Sequence, residues 1–456
     1  MKHFASRLGI DRAVFFTLLG RGWNVSAGLL TLVFVTRFLS PEFQGYYYTF
    51  YSLITLQVFA ELGLNFAIIQ FAGHEMAKLS WTPEGTLSGS LEAKRRLQSL
   101  MHFAASWFGV AALLMVAVLL PVGVHFFDAA STKGAPVPNV GAPWSLLVVF
   151  TAVNLMITAA AALLEGCGKV AHVAVLRFVQ LIFSVSAVWT VLALGGNLYA
   201  LPASSLMMAL VGIVWLWGKY RGFFIDLFSH RTPLPGMSWR REIWPFQWRI
   251  ALSWMSGYFI FQLFTPLVFA THGAVMAGQM GMSLQIIVAM NGAAMTWITT
   301  KAPTFGKLIA TKQTKALDTL FFRALAQSFG FLVFGIICVW LVLLYLSMTA
   351  SPYAARVLPL PLFSLLCLAC LANHIVFAEA NYLRAHKQEP FMVLSVLGGL
   401  VTAALALLLI PPLGTTGAVY SYTIAVLVIS FGGGTAIFIR KRREWASIAA
   451  APKIVI

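Results

Sequence analysis

Residues 14–72 read VFFTLLGRGWNVSAGLLTLVFVTRFLSPEFQGYYYTFYSLITLQVFAELGLNFAIIQFA. Two apolar runs, 14–38 and 46–72, flank a short turn that carries Ser40 and Pro41. A helix rises 1.5 Å per residue, so about twenty residues cross a hydrocarbon layer of roughly 30 Å. Each run is long enough, and the pair reads as a transmembrane helical hairpin. Arg21 and Asn24 make the first run too polar, and its length too great, for the apolar core of a cleaved signal sequence. It is expected to be the first spanning helix.

The pattern recurs along the chain. Further runs cover 101–122, 143–164, 170–194 and 198–217, then, beyond a basic segment, 250–270, 275–299, 320–346, 358–377, 391–410 and 417–439. Of 456 residues 60% are hydrophobic and 10% charged, against roughly a quarter charged in a soluble domain, so lipid must solvate much of the surface. The fold class is therefore all-α: a polytopic integral membrane protein with about twelve spanning helices. The expected organisation is a six-helix lobe over 1–218, a basic linker over 219–246, a second six-helix lobe over 247–440 and a basic tail over 441–456.

Basic residues near span ends stay in the cytoplasm. With the N-terminus inside, only Arg37, Lys133 and Arg356 of the 31 Lys and Arg residues fall outside, and only Arg21 and Arg177 lie within spans. Both termini are thus expected to be cytoplasmic, and the location is the cytoplasmic (inner) membrane. The net charge of +17 then faces anionic lipid head groups and needs no nucleic-acid partner. Tyr46, Tyr47, Tyr48 and Tyr51 fall where an aromatic belt would sit. Cys167, Cys338, Cys367 and Cys370 lie in or beside apolar runs and read as small hydrophobes, so no metal is expected. No nucleophile motif, paired metal spacing or phosphate-cradling turn appears, and the expected outer loops are short, so the chain reads as a transporter that is not an enzyme and carries no cofactor. The sequence names no coupling ion.

Ionisable groups inside a bilayer are costly and face a cavity or a partner. Arg21 and Glu61 lie at comparable depth in the first two spans, where they can pair or line a transport cavity. Asn24 follows Arg21 by three and Asn65 follows Glu61 by four, so each shares its neighbour's helix face. Arg177 and Gln180, one turn apart, are the next candidates for an anionic group, with Lys301 at the end of the eighth span. Gln262, Gln279, Gln285 and Asn291 are read as a possible polar stripe or as interhelical bonds. Glu165 and Glu379 read as structural, and His272 and His374 as interfacial. Phe34, Thr36 and Gln44 match Phe269, Thr271 and Gln279 at a constant offset, a hint of two repeats.

The stretch FVTRFLSPEFQGYYYTFYSLITLQVFAELGLNFAIIQFAGHE, with LEGCGKVAHVAVLRFVQ and AGQMGMSLQIIVAMNGAAMTWITTKAPTFGKL further on, resembles the polysaccharide-biosynthesis and O-antigen flippases of the multidrug/oligosaccharidyl-lipid/polysaccharide exporter superfamily. The resemblance implies two six-helix lobes forming a V around a central cavity open alternately to either side. It implies an undecaprenyl-diphosphate-linked oligosaccharide as cargo, such as an O-antigen or exopolysaccharide repeat unit, with a polysaccharide polymerase or ligase as a partner. It also implies cationic cavity residues that meet the diphosphate, here Arg21, Arg177 and Lys301. A cation-coupled multidrug exporter of the same superfamily is the first alternative, with Glu61 as its acidic residue. The chain lacks the loop motif that a major-facilitator transporter carries after its second span, and it lacks the acidic catalytic pair of a membrane polymerase or glycosyltransferase.

Overall fold

The structure, a computed structural model, describes residues 12–131, 139–229, 236–386 and 390–450. Among them ten helices are long and apolar enough to cross a membrane, and twelve when each of two bent helix pairs counts as one span. The chain separates into two compact units, Met1–Phe43 with Phe50–Met255, and Gln44–Thr49 with Ser256–Ile456.

The first unit begins with α1 (Arg12–Phe38). Ser40 then caps α2 (Pro41–Glu61): its hydroxyl accepts from the Phe43 amide at 3.2 Å, and Pro41 takes the first helical position, where a missing N–H costs nothing. α2 and α3 (Leu64–Met76) meet at a 41° bend. Leu62 and Gly63 adopt left-handed conformations there, with φ of 45° and 66°. A side chain at Gly63 would also come within 2.6 Å of Ile250, so glycine is required twice over.

The expected 78–96 loop is instead ordered. Strands β1 (Leu79–Trp81) and β2 (Leu87–Gly89) pair antiparallel, with Ser80 opposite Ser88. Trp81 anchors this hairpin: its indole donates to the Cys167 carbonyl at 2.8 Å, and the Lys169 ammonium lies 4.1 Å over its ring. Helix α4 (Leu91–Ser131) starts ten residues before the apolar run. Ion pairs hold that extension, Lys94 with Asp226 at 2.8 Å and Arg96 with both Glu75 at 2.8 Å and Glu242 at 2.5 Å. The Ser238 amide, donating to Glu242, holds that carboxyl below the usual carboxylate range, with Arg96 helping against partial burial.

Helices α5 (Gly141–Gly166), α6 (Val170–Ala193) and α7 (Ala200–Ser229) complete the first bundle. Its core gathers Leu64, Ile68, Leu97, Phe108, Leu164 and Phe223. The stretch expected as a linker, 219–246, is helical through Ser229, lies outside the described residues over 230–235, and re-enters through a π-turn at Trp239–Ile243.

The second unit takes the end of α8 (Trp244–Phe261), which meets α9 (Phe264–His272) at a 40° bend. It continues with α10 (Ala274–Thr299), α11 (Ala302–Ala310), α12 (Thr314–Met348), α13 (Leu360–Ala385) and α14 (Met392–Leu413). The last span, α15 (Thr415–Ile424), widens to a π-helix at Ala425–Gly433 and closes as α16 (Gly434–Ala450). Of the expected tail, 451–456 lies outside the described residues. Phe305, Phe321 and Leu383 centre the core. Tyr46, Tyr47 and Tyr48 correct the aromatic-belt expectation, because all three are buried in this unit. Gly45 permits it: an added Cβ would fall 1.9 Å from the Ala274 carbonyl oxygen, so a bare backbone lets the tyrosines pack inward and Tyr46 meet Phe269 edge-on at 4.9 Å.

Candidate functional site

In the first unit α1 lies along α6. Phe16 meets Phe178, Phe34 stacks on Trp189, and the Trp189 indole donates to Thr31 at 2.9 Å. The contacts advance in the same direction on both helices, so they run parallel. A Cβ at Gly20 would sit 3.8 Å from Phe178. Arg21 and Arg177 each adjoin that contact in sequence, which places them at one depth on neighbouring helices. Arg177 lies seven residues, about 10 Å, inside the start of α6.

Arg21, Asn24 and Thr17 are exposed from the unit and share one stripe of α1. The Arg177 guanidinium is also half-exposed and donates to Glu165 at 2.6 Å. Glu165, in the last turn of α5, therefore belongs to the candidate site, which sequence reasoning missed because the two helices are joined only by a turn whose geometry hydropathy does not report. Gln180, by contrast, is buried and donates to the Met208 carbonyl at 2.8 Å, stitching α6 to α7.

Glu61 and Asn65 straddle the bend between α2 and α3. The Asn65 amide donates to the Glu61 carboxylate at 3.2 Å, and the Trp107 indole donates to the Ala60 carbonyl beside them. The Asn65 carbonyl oxygen is buried without a partner among the described residues.

In the second unit Gln279, Gln285 and Asn291 correct the polar-stripe reading. They fall six residues apart on the continuous α10, so they point roughly 120° away from one another. Gln279 donates to the Ala355 carbonyl at 3.0 Å, and Asn291 bonds His374 at 2.7 Å. Gln262 sits at the α8–α9 bend, its backbone N–H donating to the Tyr258 carbonyl at 2.8 Å. Lys301 lies exposed at the α10–α11 junction, with no side-chain partner among the described residues. His374 corrects the interfacial reading: fully buried, it also bonds Ser328 at 2.7 Å, and Ser328 donates to the Ala294 carbonyl. Glu379 is buried and accepts from Thr435 at 3.2 Å. Among the described residues, no three His, Cys, Asp or Glu side chains converge as a metal site.

Residues 10–309, most of the chain, match the family described as polysaccharide biosynthesis protein. The chain belongs to that family. No curated protein matches it. Among solved structures, a MATE multidrug resistance transporter of the MOP superfamily in its inward-facing conformation is similar with a TM-score of 0.66 at 14% identity, over 93% of this chain and 95% of that one. A MOP transporter from Pyrococcus furiosus, described as having a binding pocket of reverse polarity, is similar with a TM-score of 0.58 at 14% identity, over 97% and 96%. The lipid II flippase MurJ in an inward closed conformation follows with 0.57 at 11%, over 96% and 91%. The polysaccharide biosynthesis family member described here thus combines, among its described residues, ten to twelve helices long and apolar enough to cross a membrane with the fold of MOP transporters and of the flippase MurJ.

Proposed function

We propose that this protein is a flippase that translocates an undecaprenyl-diphosphate-linked oligosaccharide, such as an O-antigen or exopolysaccharide repeat unit, across the cytoplasmic membrane by alternating access, with both termini cytoplasmic. The observation that carries the reading is the placement of Arg21 and Arg177 at one depth on the packed helices α1 and α6. A diphosphate leaving water needs charge-assisted hydrogen bonds to replace its hydration, and paired guanidinium groups supply them in a planar, directional form. Glu165 completes the cycle. While no cargo is bound it keeps Arg177 paired, and exchange of its carboxylate for a phosphate oxygen leaves no lone cation at membrane depth. Asn24 and Thr17 extend the same stripe of α1 toward neutral hydroxyl groups of the cargo.

The protein supplies binding and passage rather than bond chemistry in this reading, needs no cofactor, and hands its cargo to a polymerase or ligase. The multidrug-exporter alternative draws on the likeness to MATE transporters and on Glu61. It fits less well, because the guanidinium groups of Arg21 and Arg177 repel organic cations and Glu61 is already bonded to Asn65.

The reading is tested in vesicles of purified protein that hold the diphosphate-linked oligosaccharide in one leaflet. Wild type is expected to move it to the other leaflet, and Arg21→Ala with Arg177→Ala is expected to lose at least tenfold in rate. Wild-type rates in the double variant would overturn the assignment.

A further inference from the structure

The turn between α5 and α6 is three residues, Cys167, Gly168 and Lys169, and it sets where Glu165 stands relative to Arg177. Carbonyls at the end of a helix have no partner within it, so a donor from elsewhere in the chain can pin the turn. Cys167 has such a donor: the Trp81 indole reaches its carbonyl at 2.8 Å from the β1–β2 hairpin, 86 residues away in sequence. The Lys169 ammonium lies 4.1 Å over the same ring, so one side chain holds both ends of the turn. Trp81 is itself braced, its ring 5.0 Å from that of Phe223 on α7, and the nearby Tyr220 hydroxyl bonds His172 in the first turn of α6. At Gly166 the end of α5 presses on α3, where a Cβ would come within 2.8 Å of the Ile69 carbonyl oxygen. Glu165 thus stands just before a clamped turn, and its carboxylate accepts from Arg177 at 2.6 Å, twelve residues on.

We infer that Trp81 is a positioning residue for the pair of Glu165 and Arg177: by holding the α5–α6 turn it sets how strongly Glu165 competes for the guanidinium. What this does to cargo rests on the reading of Arg177 as a phosphate-binding group. A carboxylate and a phosphate oxygen compete for the same donors. A loosened Glu165 therefore lets cargo bind more tightly and leave more slowly, which lowers KM and the saturating rate together, whereas loss of Arg177 raises KM. The Arg177 side chain is 53% exposed, and a pair this open to its surroundings shifts such a competition by about threefold.

The test reads Arg177 directly. Phenylglyoxal modifies free guanidinium groups faster than paired ones, and peptide mass spectrometry of the purified full chain gives the rate at Arg177. Trp81→Phe keeps a ring against Phe223 and deletes the N–H. It is expected to raise that rate about threefold, as is Glu165→Gln, and the double variant is expected to match Glu165→Gln alone. Trp144→Phe controls for general loosening, because it deletes a like bond, indole to the Leu119 carbonyl at 2.9 Å, about 32 Å away along α5. It is expected to leave Arg177 at the wild-type rate. In vesicles holding undecaprenyl-diphosphate-linked N-acetylglucosamine, Trp81→Phe is expected to lower KM and the saturating rate together, each about threefold. An unchanged Arg177 rate in Trp81→Phe, an added effect in the double variant, or an equal rise in Trp144→Phe would overturn the positioning role. A wild-type KM in Trp81→Phe, with Arg177→Ala impaired, would overturn its link to cargo. Wild-type flipping by Arg177→Ala, with Arg177 still freed in Trp81→Phe, would instead overturn the cargo reading and leave the positioning role standing.

Discussion

Gln44, near the start of α2, and Gln279, near the start of α10, donate to successive carbonyls of one turn in the second unit: Gln44 to Arg356 at 2.8 Å and Gln279 to Ala355 at 3.0 Å. Gln44 also donates to the Gly278 carbonyl at 3.0 Å, and only 1% of it is exposed. Leaving buried acceptors unsatisfied costs about 1–3 kcal/mol. Gln44→Ala is therefore expected to lower the thermal midpoint of the detergent-purified protein, and Gln279→Ala, whose bond is exposed, to lower it less. Equal midpoints for both variants and wild type would contradict this account of the turn.

The Arg177–Glu165 pair makes a prediction about rate. Arg177→Ala is expected to cut transport at least tenfold, because a diphosphate then loses a bidentate donor. Glu165→Gln keeps the cation and is expected to cost less than Arg177→Ala. The comparison is made by initial flipping rates in vesicles at matched protein levels, and a larger loss in Glu165→Gln would reverse the roles assigned to the two residues.

Much of this architecture was legible in hydropathy, because lipid imposes twenty-residue apolar runs that a reader can measure. Where the physics was not periodic, the reading failed. The bend at Leu62 and Gly63 depends on backbone approach to Ile250, and the early start of α4 depends on Arg96 finding Glu75 and Glu242. Neither is visible in a hydropathy window. Arg21 and Arg177 were legible as costly ions, but their shared depth was not, since it follows from Gly20 meeting Phe178. His374 was misplaced because its partners Asn291 and Ser328 come from two other helices.

That buried network predicts a stability effect. His374→Leu removes the group that satisfies Asn291 and is expected to destabilise the protein by about 1–3 kcal/mol. Ser328→Ala removes a smaller group and is expected to cost less, near the roughly 0.6 kcal/mol typical of hydrogen bonds between membrane helices. Thermal unfolding followed by circular dichroism distinguishes the two. A His374→Leu variant as stable as wild type would show that the network contributes nothing.

His386, just past the end of α13, stacks on Trp445 with ring centroids 3.7 Å apart. Burial pushes its pKa below the ordinary imidazole value, opposed in part by Asp318. The folded state thus favours the neutral ring, and the unfolded chain binds more protons as pH falls through this range. The contribution is present above about pH 6.5 and is lost as pH drops toward the depressed folded value. Thermal midpoints measured from pH 7.5 to 5 are expected to fall, and His386→Phe, which keeps the stacking, is expected to flatten the profile. An unchanged slope in that variant would assign the effect elsewhere.

The most direct test of the central claim is to delete the gene in its host and weigh the extracted lipid-linked oligosaccharides by mass spectrometry. The account predicts that undecaprenyl-diphosphate-linked sugar accumulates while surface polysaccharide disappears, and that wild type but not Arg21→Ala restores both. Unaltered lipid-linked sugar and surface polysaccharide in the deletion strain would contradict it.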